Sequence, residues 1–281
     1  MKAFLAMLRQ SPLLLVGTVV VSTLVLVAVF APWLAPYAPK ATTGPSLASP
    51  SSAHWLGTND AGSDILSRVI WGSREMLVVA TTATAIVLVI GIAVGVAAGL
   101  RGGPVDMVLM RVTDVFLALP KFPLLIFIAA LAGPSVTVAV LTIGLTAWPE
   151  TARIVRSQSL SLRERGYFAA ARGFGAGPLY VIRRHLVPAL GPLLISNLVY
   201  MAGQVVTITA ILGFVGLADP VAVSWGAELN RALVNPRTTI GSVWLWWLLP
   251  PGLAVTLTIL GFTFIGVGLE PEFNPRWSRT S

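Results

Sequence analysis

The segment MLVVATTATAIVLVIGIAVGVAAGL, which runs from Met76 to Leu100, contains no charged residue. A helix needs about 20 mainly apolar residues to cross the hydrocarbon core of a membrane, so this segment predicts a transmembrane helix. The whole chain has the same character, because 56% of its 281 residues are hydrophobic and only 11% are charged. Soluble chains are about a quarter charged. The composition therefore predicts an all-α, polytopic membrane protein.

Five further apolar segments raise the predicted number of transmembrane helices to six. They lie at about 13–31, 107–131, 135–148, 188–214 and 243–268. We expect the first to be retained, because it is longer than the apolar part of a signal peptide and no A-x-A cleavage site follows it. Pro149 is predicted to end the fourth span, and Pro250 and Pro251 either kink the sixth or begin its continuous part.

The polar segments between the spans define the predicted organisation. An N-terminal tail and the first span occupy 1–34, an extracytoplasmic segment with an amphipathic helix occupies 35–75, and a core of five spans with a cytoplasmic loop at 150–188 occupies 76–281. With both termini inside, 14 of the 19 Lys and Arg residues fall on inner segments. Cytoplasmic loops carry an excess of these residues, which predicts the N-in, C-in orientation.

The residue inventory argues against several functions. The chain has no cysteine, and its two histidines, His54 and His185, stand far apart in sequence, so neither thiol chemistry nor a metal site is expected. Because no Gly-Lys dipeptide occurs, there is no Walker A phosphate loop, and any ATP must be hydrolysed by another chain. The basic residues are dispersed between apolar runs, which argues against nucleic-acid binding. Acidic residues avoid the span centres, which disfavours a proton-driven carrier.

Five residues inside the spans are candidates for a specific role. Gly91, Gly95 and Gly99 recur at every fourth position, and such a stripe of small residues lets a second helix approach closely. That helix can belong to this chain or to another subunit, and the spacing leaves both open. Asn197 and Gln204 lie in the fifth span, where they either contact a polar solute in a translocation path or, as we expect, hydrogen-bond to a neighbouring helix.

An extracytoplasmic segment, HWLGTNDAGSDILSRVIWGSR at 54–74, predicts a short amphipathic helix. Ser63 can cap it, and its apolar residues share one face. These are Ile65, Leu66, Val69 and Ile70. We favour a helix lying at the outer membrane interface, with a gate or a contact to a binding protein as the alternative.

The polar loop contains YFAAARGFGAGPLYVIRRHLVP at 167–188. Residues 167–172 can form a short helix that the glycines around Gly175 interrupt, and Pro178 suits the first turn of a second helix. Such an element can dock into a groove of a soluble partner or lie on the membrane as an interfacial anchor. The residues alone do not decide between these two roles.

The same loop resembles the Glu-Ala-Ala coupling loop of ABC-type importer permeases. The resemblance rests on Ala170 and Ala171, on Gly175, and on the segment His185 to Pro188. Ala169 stands where that family often has glutamate, which puts one polar contact to the ATPase in doubt. The residues that the resemblance assigns to ATPase coupling are Ala169, Ala170, Ala171, Arg172, Gly175, His185 and Pro188.

Four stretches resemble the "C" subunit of the dipeptide, oligopeptide and nickel permeases, and they occur in that subunit's order over nearly the whole chain. Besides 54–74, they are MRVTDVFLALP at 110–120, LGFVGLADPVAVSWG at 212–226, and LLPPGLAVTLTILGFTFIGVGL followed by NPR at 248–276. The chain departs from the pattern at Asp219-Pro220, in place of a more usual Gln-Pro-Pro, and at Val267, in place of a more usual aspartate.

The resemblance implies a type I ABC importer permease fold in a bacterial inner membrane. It further implies a second, homologous permease subunit, two cytoplasmic ATPase domains that bind ATP and Mg, an extracytoplasmic binding protein, and no cofactor on this chain. The implied substrates are di- or oligopeptides, with nickel or a metal–chelator complex as the alternative. A stand-alone channel or secondary carrier is the alternative from another class, and in none of these would the chain itself be an enzyme.

Overall fold

The computed structural model describes residues 11–166, 175, 177–239 and 241–273. Within these residues the regular structure is helical, with one isolated β-bridge between Thr58 and Asp64. The α-helices are α1 (Pro12–Leu34), α2 (Ile65–Arg101), α3 (Gly103–Ala118), α4 (Lys121–Ala132), α5 (Val136–Arg163), α6 (Pro178–Val181), α7 (Val187–Phe214), α8 (Trp225–Val234), α9 (Val243–Trp247) and α10 (Leu249–Phe273). A π-helix, Ile182–Leu186, joins α6 to α7, and a 3-10 turn, Pro236–Thr238, follows α8.

Five of the described helices are long and apolar enough to cross a membrane, and the number is six if α3 and α4 count as one bent span. The third predicted span consists of these two helices, which meet at 85°. Pro120 disfavours helical geometry at the residue before it, and Leu119 accordingly adopts extended backbone with φ −75° and ψ 136°.

The second span begins earlier than predicted, because α2 includes the segment assigned to a separate amphipathic helix. Asp64, and not Ser63, caps it: the Ser67 amide donates to Asp64 Oδ2 at 2.8 Å. The Ser63 amide instead donates to Asn59 Oδ1 at 2.9 Å. The expectation of an independent helix lying at the membrane interface is therefore wrong.

The fourth span was predicted to end at Pro149, but α5 continues through this residue to Arg163. Proline removes one helical hydrogen bond, yet here both Trp148 and Pro149 are buried, so packing holds the helix together across the defect. Pro250 and Pro251 stand in the first turn of α10 and thus begin the continuous part of the sixth span. Helix α8 lies between the fifth and sixth predicted spans.

The buried core joins α2, α4, α5 and α7. Val87, Leu125, Ile143 and Ile208 are at most 2% exposed and belong to one cluster. Helices α1 and α10 pack on each other beside this core, with the backbone of α10 close to Gly17 of α1.

Helix ends that the orientation places on one side of the membrane meet in the structure. On the predicted outer side, the Val136 amide donates to Asp219 Oδ2 at 3.3 Å. On the predicted inner side, Arg163 Nη1 donates to the Gly99 carbonyl at 3.4 Å. The fold thus sorts the loops onto two ends, while the orientation in the membrane stays a prediction.

Candidate functional site

The three stripe glycines lie in the contact between α2 and α5, which we call the α2–α5 seam. A Cβ added at Gly91 would lie 2.6 Å from Thr151 Cβ, and one at Gly95 would lie 2.6 Å from the Ala152 carbonyl oxygen. At Gly99 it would lie 2.6 Å from Ser159 Cβ. Real Cβ atoms essentially never come closer than 3.0 Å, so only glycine permits this approach. Of the two possibilities left open by the sequence, the structure shows packing within the chain.

Asn197 faces the same seam and not an open path. Its side chain is buried, and Thr151 Oγ1 donates to Asn197 Oδ1 at 2.9 Å. This bond joins α7 to α5 through Thr151, the residue against which Gly91 packs. The structure therefore places Asn197 in an interhelical hydrogen bond.

Gln204 occupies a different face of α7, where it lines a cleft of about 840 Å³ between α7 and α10. This α7–α10 cleft includes Gln158 of α5 at one end. Four polar residues of α7 form a stripe along it, because they recur at intervals of four, four and three. They are Ser196, Tyr200, Gln204 and Thr207. The sequence suggested the same two alternatives for Gln204 and Asn197, but Gln204 lines the α7–α10 cleft whereas Asn197 faces the α2–α5 seam.

The described part of the predicted coupling loop packs against the end of α5. Val181 and Leu186 are buried in a cluster with Val155 and Leu162 of α5, so the second half of the loop is fixed to the helix that leads into it. Between these anchors, Arg183 and Arg184 are exposed. This exposed surface is available to a partner.

The remaining coupling-loop residues are placed as follows. Gly175 has φ +80°, and a Cβ there would meet nothing within 4 Å, so its backbone conformation rather than crowding favours glycine. His185 lies in the π-helix with its ring 5.8 Å from that of Tyr180, and Pro188 is exposed in the first turn of α7. Ala169, Ala170, Ala171 and Arg172 lie outside the described residues.

Three ion pairs connect the bent third span to α5. Asp106 Oδ1 lies 2.5 Å from Arg156 Nε, and Asp114 Oδ1 lies 2.5 Å from Arg153 Nη2. Lys121 Nζ lies 3.4 Å from Glu150 Oε1. These pairs bind α3 and the start of α4 to the helix that enters the coupling loop.

A buried carboxylate at the other end of the molecule was missed by sequence reasoning. Glu228 of α8 has a side chain only 4% exposed and pairs with Arg68 of α2. Its Oε2 accepts from Trp247 Nε1 at 3.1 Å and from Asn59 Nδ2 at 3.4 Å. Glu228 therefore ties together four elements, and the partners stand too far apart in sequence for any local pattern to reveal them.

The segment before α2, residues 41–64, forms a compact structure that we call the outer cap. His54 Nδ1 lies 3.0 Å from Asp64 Oδ1, and both side chains are buried. Arg231 Nη2 of α8 lies 2.5 Å from Asp60 Oδ1. His54 thus takes part in holding the cap on the start of α2, and the cap is joined to α8 at two places.

The structure shows a bundle of apolar helices with a polar cleft, and comparisons with known proteins identify the family. The family model for the binding-protein-dependent transport system inner membrane component matches residues 88–279. The model for the N-terminal transmembrane domain of oligopeptide transport permease C matches residues 1–50. The chain belongs to the family of binding-protein-dependent transport system inner membrane components, and it is a multi-pass permease subunit of an ABC importer.

Curated relatives match over almost their whole length. The chain is 35% identical to the probable D,D-dipeptide transport system permease protein DdpC of Escherichia coli, over 96% of this chain and 90% of that protein. It is 36% identical to the dipeptide transport system permease protein DppC of Alkalihalophilus pseudofirmus, over 96% and 88%. It is 35% identical to the nickel transport system permease protein NikC of Escherichia coli, over 92% of each.

The fold has a counterpart among solved structures. A chain of the MetNI methionine ABC transporter, in inward-facing conformations, matches with a TM-score of 0.51 and 23% identity, over 72% of this chain and 94% of that chain. This match confirms the predicted importer permease fold.

Proposed function

We propose that this permease subunit imports di- or oligopeptides and forms half of the translocation path beside a second, homologous permease. The main support for this proposal is the near full-length similarity to two permeases named for dipeptides. In this proposal an extracytoplasmic binding protein delivers the peptide, and two separate ATPase domains bind ATP and Mg and hydrolyse the ATP. The chain itself then needs no cofactor.

The coupling loop supplies the mechanism for using that ATP. Its second half is anchored to α5 through Val181 and Leu186, so a force on the loop acts on α5 and α7 together. Closure of docked ATPases would move these helices between inward-open and outward-open arrangements. Ala169 removes the polar contact that glutamate would make, and we expect Arg172, Arg183 and Arg184 to supply the polar part of the ATPase interface.

The test is Gly175→Trp, which places a large side chain on the docking surface. We expect the variant to insert normally and to lose ATP-dependent peptide uptake. Gly133→Trp is a matched control, because Gly133 also has positive φ (+86°) and open space around it but lies on the predicted outer side. Normal uptake by the Gly175 variant, or uptake that survives ATP depletion, would favour a channel or secondary carrier instead.

Nickel, free or chelated, is the second candidate, because a nickel permease is as similar to this chain as one of the dipeptide permeases. The two are separated by measuring uptake of a labelled dipeptide and of radioactive nickel by the complete transporter. Nickel uptake that dipeptides do not compete with would replace the peptide proposal. If the Gly175 variant loses whichever uptake the wild type shows, of dipeptide or of nickel, the proposed coupling role of the loop holds for either substrate.

A further inference from the structure

The α7–α10 cleft has a lining that a lipid-facing groove would not have. Its mouth is open at Tyr200, which is 54% exposed, and at Val267, which is 47% exposed. Ser196 also lines the cleft, and its Oγ is buried and has no hydrogen-bond partner among the described residues. Gln204 lies at about the middle of α7. Unpaired hydroxyl and amide groups are costly against hydrocarbon, so the cleft suits a polar occupant.

The chemistry of the lining defines that occupant. Glutamine and serine side chains both donate and accept hydrogen bonds, which matches the N–H and C=O groups of a peptide bond. All residues that line the cleft, within the part of the chain that the structure describes, are uncharged. Apolar surface from Leu193, Ile259 and Phe262 completes it. A volume of about 840 Å³ is within the range of small-molecule sites, roughly 300–1,000 Å³.

We propose that the cleft is a transit site that holds a peptide by its uncharged amide groups, with Gln204 and Ser196 as the contacting residues. This inference rests on the proposed function and adds to it that charges on the peptide are not read on this surface. Peptides that differ in side-chain charge then pass this chain alike, and selection among them is left to other components of the transporter.

The decisive experiment introduces a charge where the cleft has none. The complete transporter is reconstituted in proteoliposomes, and uptake of alanyl-alanine, a lysine-containing dipeptide and a glutamate-containing dipeptide is measured with saturating binding protein. Gln204→Glu keeps the shape and adds one negative charge. Relative to wild type, we expect the ratio of lysine-peptide to glutamate-peptide uptake to change by about tenfold or more, because a unit charge at contact distance exceeds that effect unless fully screened.

Two comparisons make the result specific. Asn235→Asp makes the same amide-to-acid change outside the cleft and preserves the acceptor that binds the Arg237 amide, so it should leave the ratio unchanged. Gln204→Leu should lower uptake of all three peptides by a common factor while ATP hydrolysis continues. If Gln204 had only a structural role, Gln204→Glu and Gln204→Leu would both lower uptake, and the ratio of lysine-peptide to glutamate-peptide uptake would stay at its wild-type value. That outcome overturns the proposal.

A thiol probe covers the case in which the charged variant does not assemble. The chain has no cysteine, so Gln204→Cys provides a single reactive site. We expect a small hydrophilic thiol reagent to label it and transported dipeptide to slow the labelling. Absence of labelling in assembled transporter means that a helix or lipid fills the cleft, which also overturns the proposal. Failure of the proposed function is distinct, since wild type would then show no ATP-dependent dipeptide uptake.

Discussion

The α2–α5 seam and the α7–α10 cleft are both contacts between long apolar helices, and glycine plays opposite parts in them. In the seam, added Cβ atoms at the three stripe glycines would lie 2.6 Å from their neighbours. In the cleft, a Cβ at Gly203 would lie 3.3 Å from Phe262 Cβ, and one at Gly266 would lie 4.0 Å from Val199. Glycine closes the first contact and leaves the second open.

This difference divides the molecule into a fixed part and an accommodating part. In the seam, backbone and side-chain atoms of α2 and α5 are in close contact, so neither helix can shift relative to the other. A displacement of one helix is passed on to the other, because close-packed interiors transmit strain. Helix α5 leads into the coupling loop, and α2 begins at the outer cap. We therefore expect these two helices to move as one unit that links the two faces of the membrane, while the cleft adapts to its contents.

The largest expected effect is that of Gly95→Leu, which breaks the fixed part. The new side chain must displace the Ala152 carbonyl and Val155. Extra methylenes in a packed core cost about 1–3 kcal/mol and occasionally more, and here a whole leucine side chain meets backbone as well as side-chain atoms, so we expect the upper end of this range or beyond. We expect little assembled transporter to be recovered in detergent. Gly191→Leu is the control, because an added Cβ there meets nothing within 4 Å. Equal recovery of both variants would show that the seam is not fixed.

Next in size is Glu228→Gln, which asks whether the fixed part extends to the outer cap. The change leaves Arg68 without its buried counter-charge, whereas Arg231 keeps its pair with Asp60. Breaking a buried pair costs about 3–5 kcal/mol. We expect a lower thermal midpoint in detergent. In Glu150→Gln the lost pair is more exposed, at 30% and 38% for its side chains, and exposed pairs contribute at most about 1 kcal/mol. Similar midpoints for the two variants would contradict a cap locked through Glu228.

The sequence predicted the spans well because apolar length is a local signal, but it misjudged two prolines. Pro149 was assigned a helix end and Pro120 the interior of a span, whereas the chain breaks at Pro120 and stays helical at Pro149. The difference is burial: Pro149 is packed against other helices, while Leu119 and Pro120 are exposed. Whether a proline breaks a helix depends on tertiary contacts, which the sequence does not display.

The candidate site shows the same limit. The spacing of the glycines predicted a close approach but did not identify the partner helix, which is given by the contact with α5. Asn197 and Gln204 are alike in sequence context, seven residues apart on one helix, and only the neighbours of each face separate them. Glu228 was not recognised at all, because its partners Asn59, Arg68 and Trp247 come from three separate segments.

The smallest expected effect tests the boundary between the two parts at Asn197. Because Thr151 Oγ1 donates to Asn197 Oδ1 inside the seam, Thr151→Val and Asn197→Leu should be non-additive in stability. Interhelical hydrogen bonds of this kind contribute about 0.6 kcal/mol on average in double-mutant cycles, and about 1.7 kcal/mol at most. The cycle is measured on unfolding in detergent micelles. Peptide uptake per ATP hydrolysed should be unchanged in Asn197→Leu, in contrast to Gln204→Leu, because Asn197 does not face the cleft. A loss of uptake per ATP in assembled Asn197→Leu would place Asn197 on the translocation path. The accommodating part would then include the face of α7 that packs on α5, and not only the face that lines the cleft.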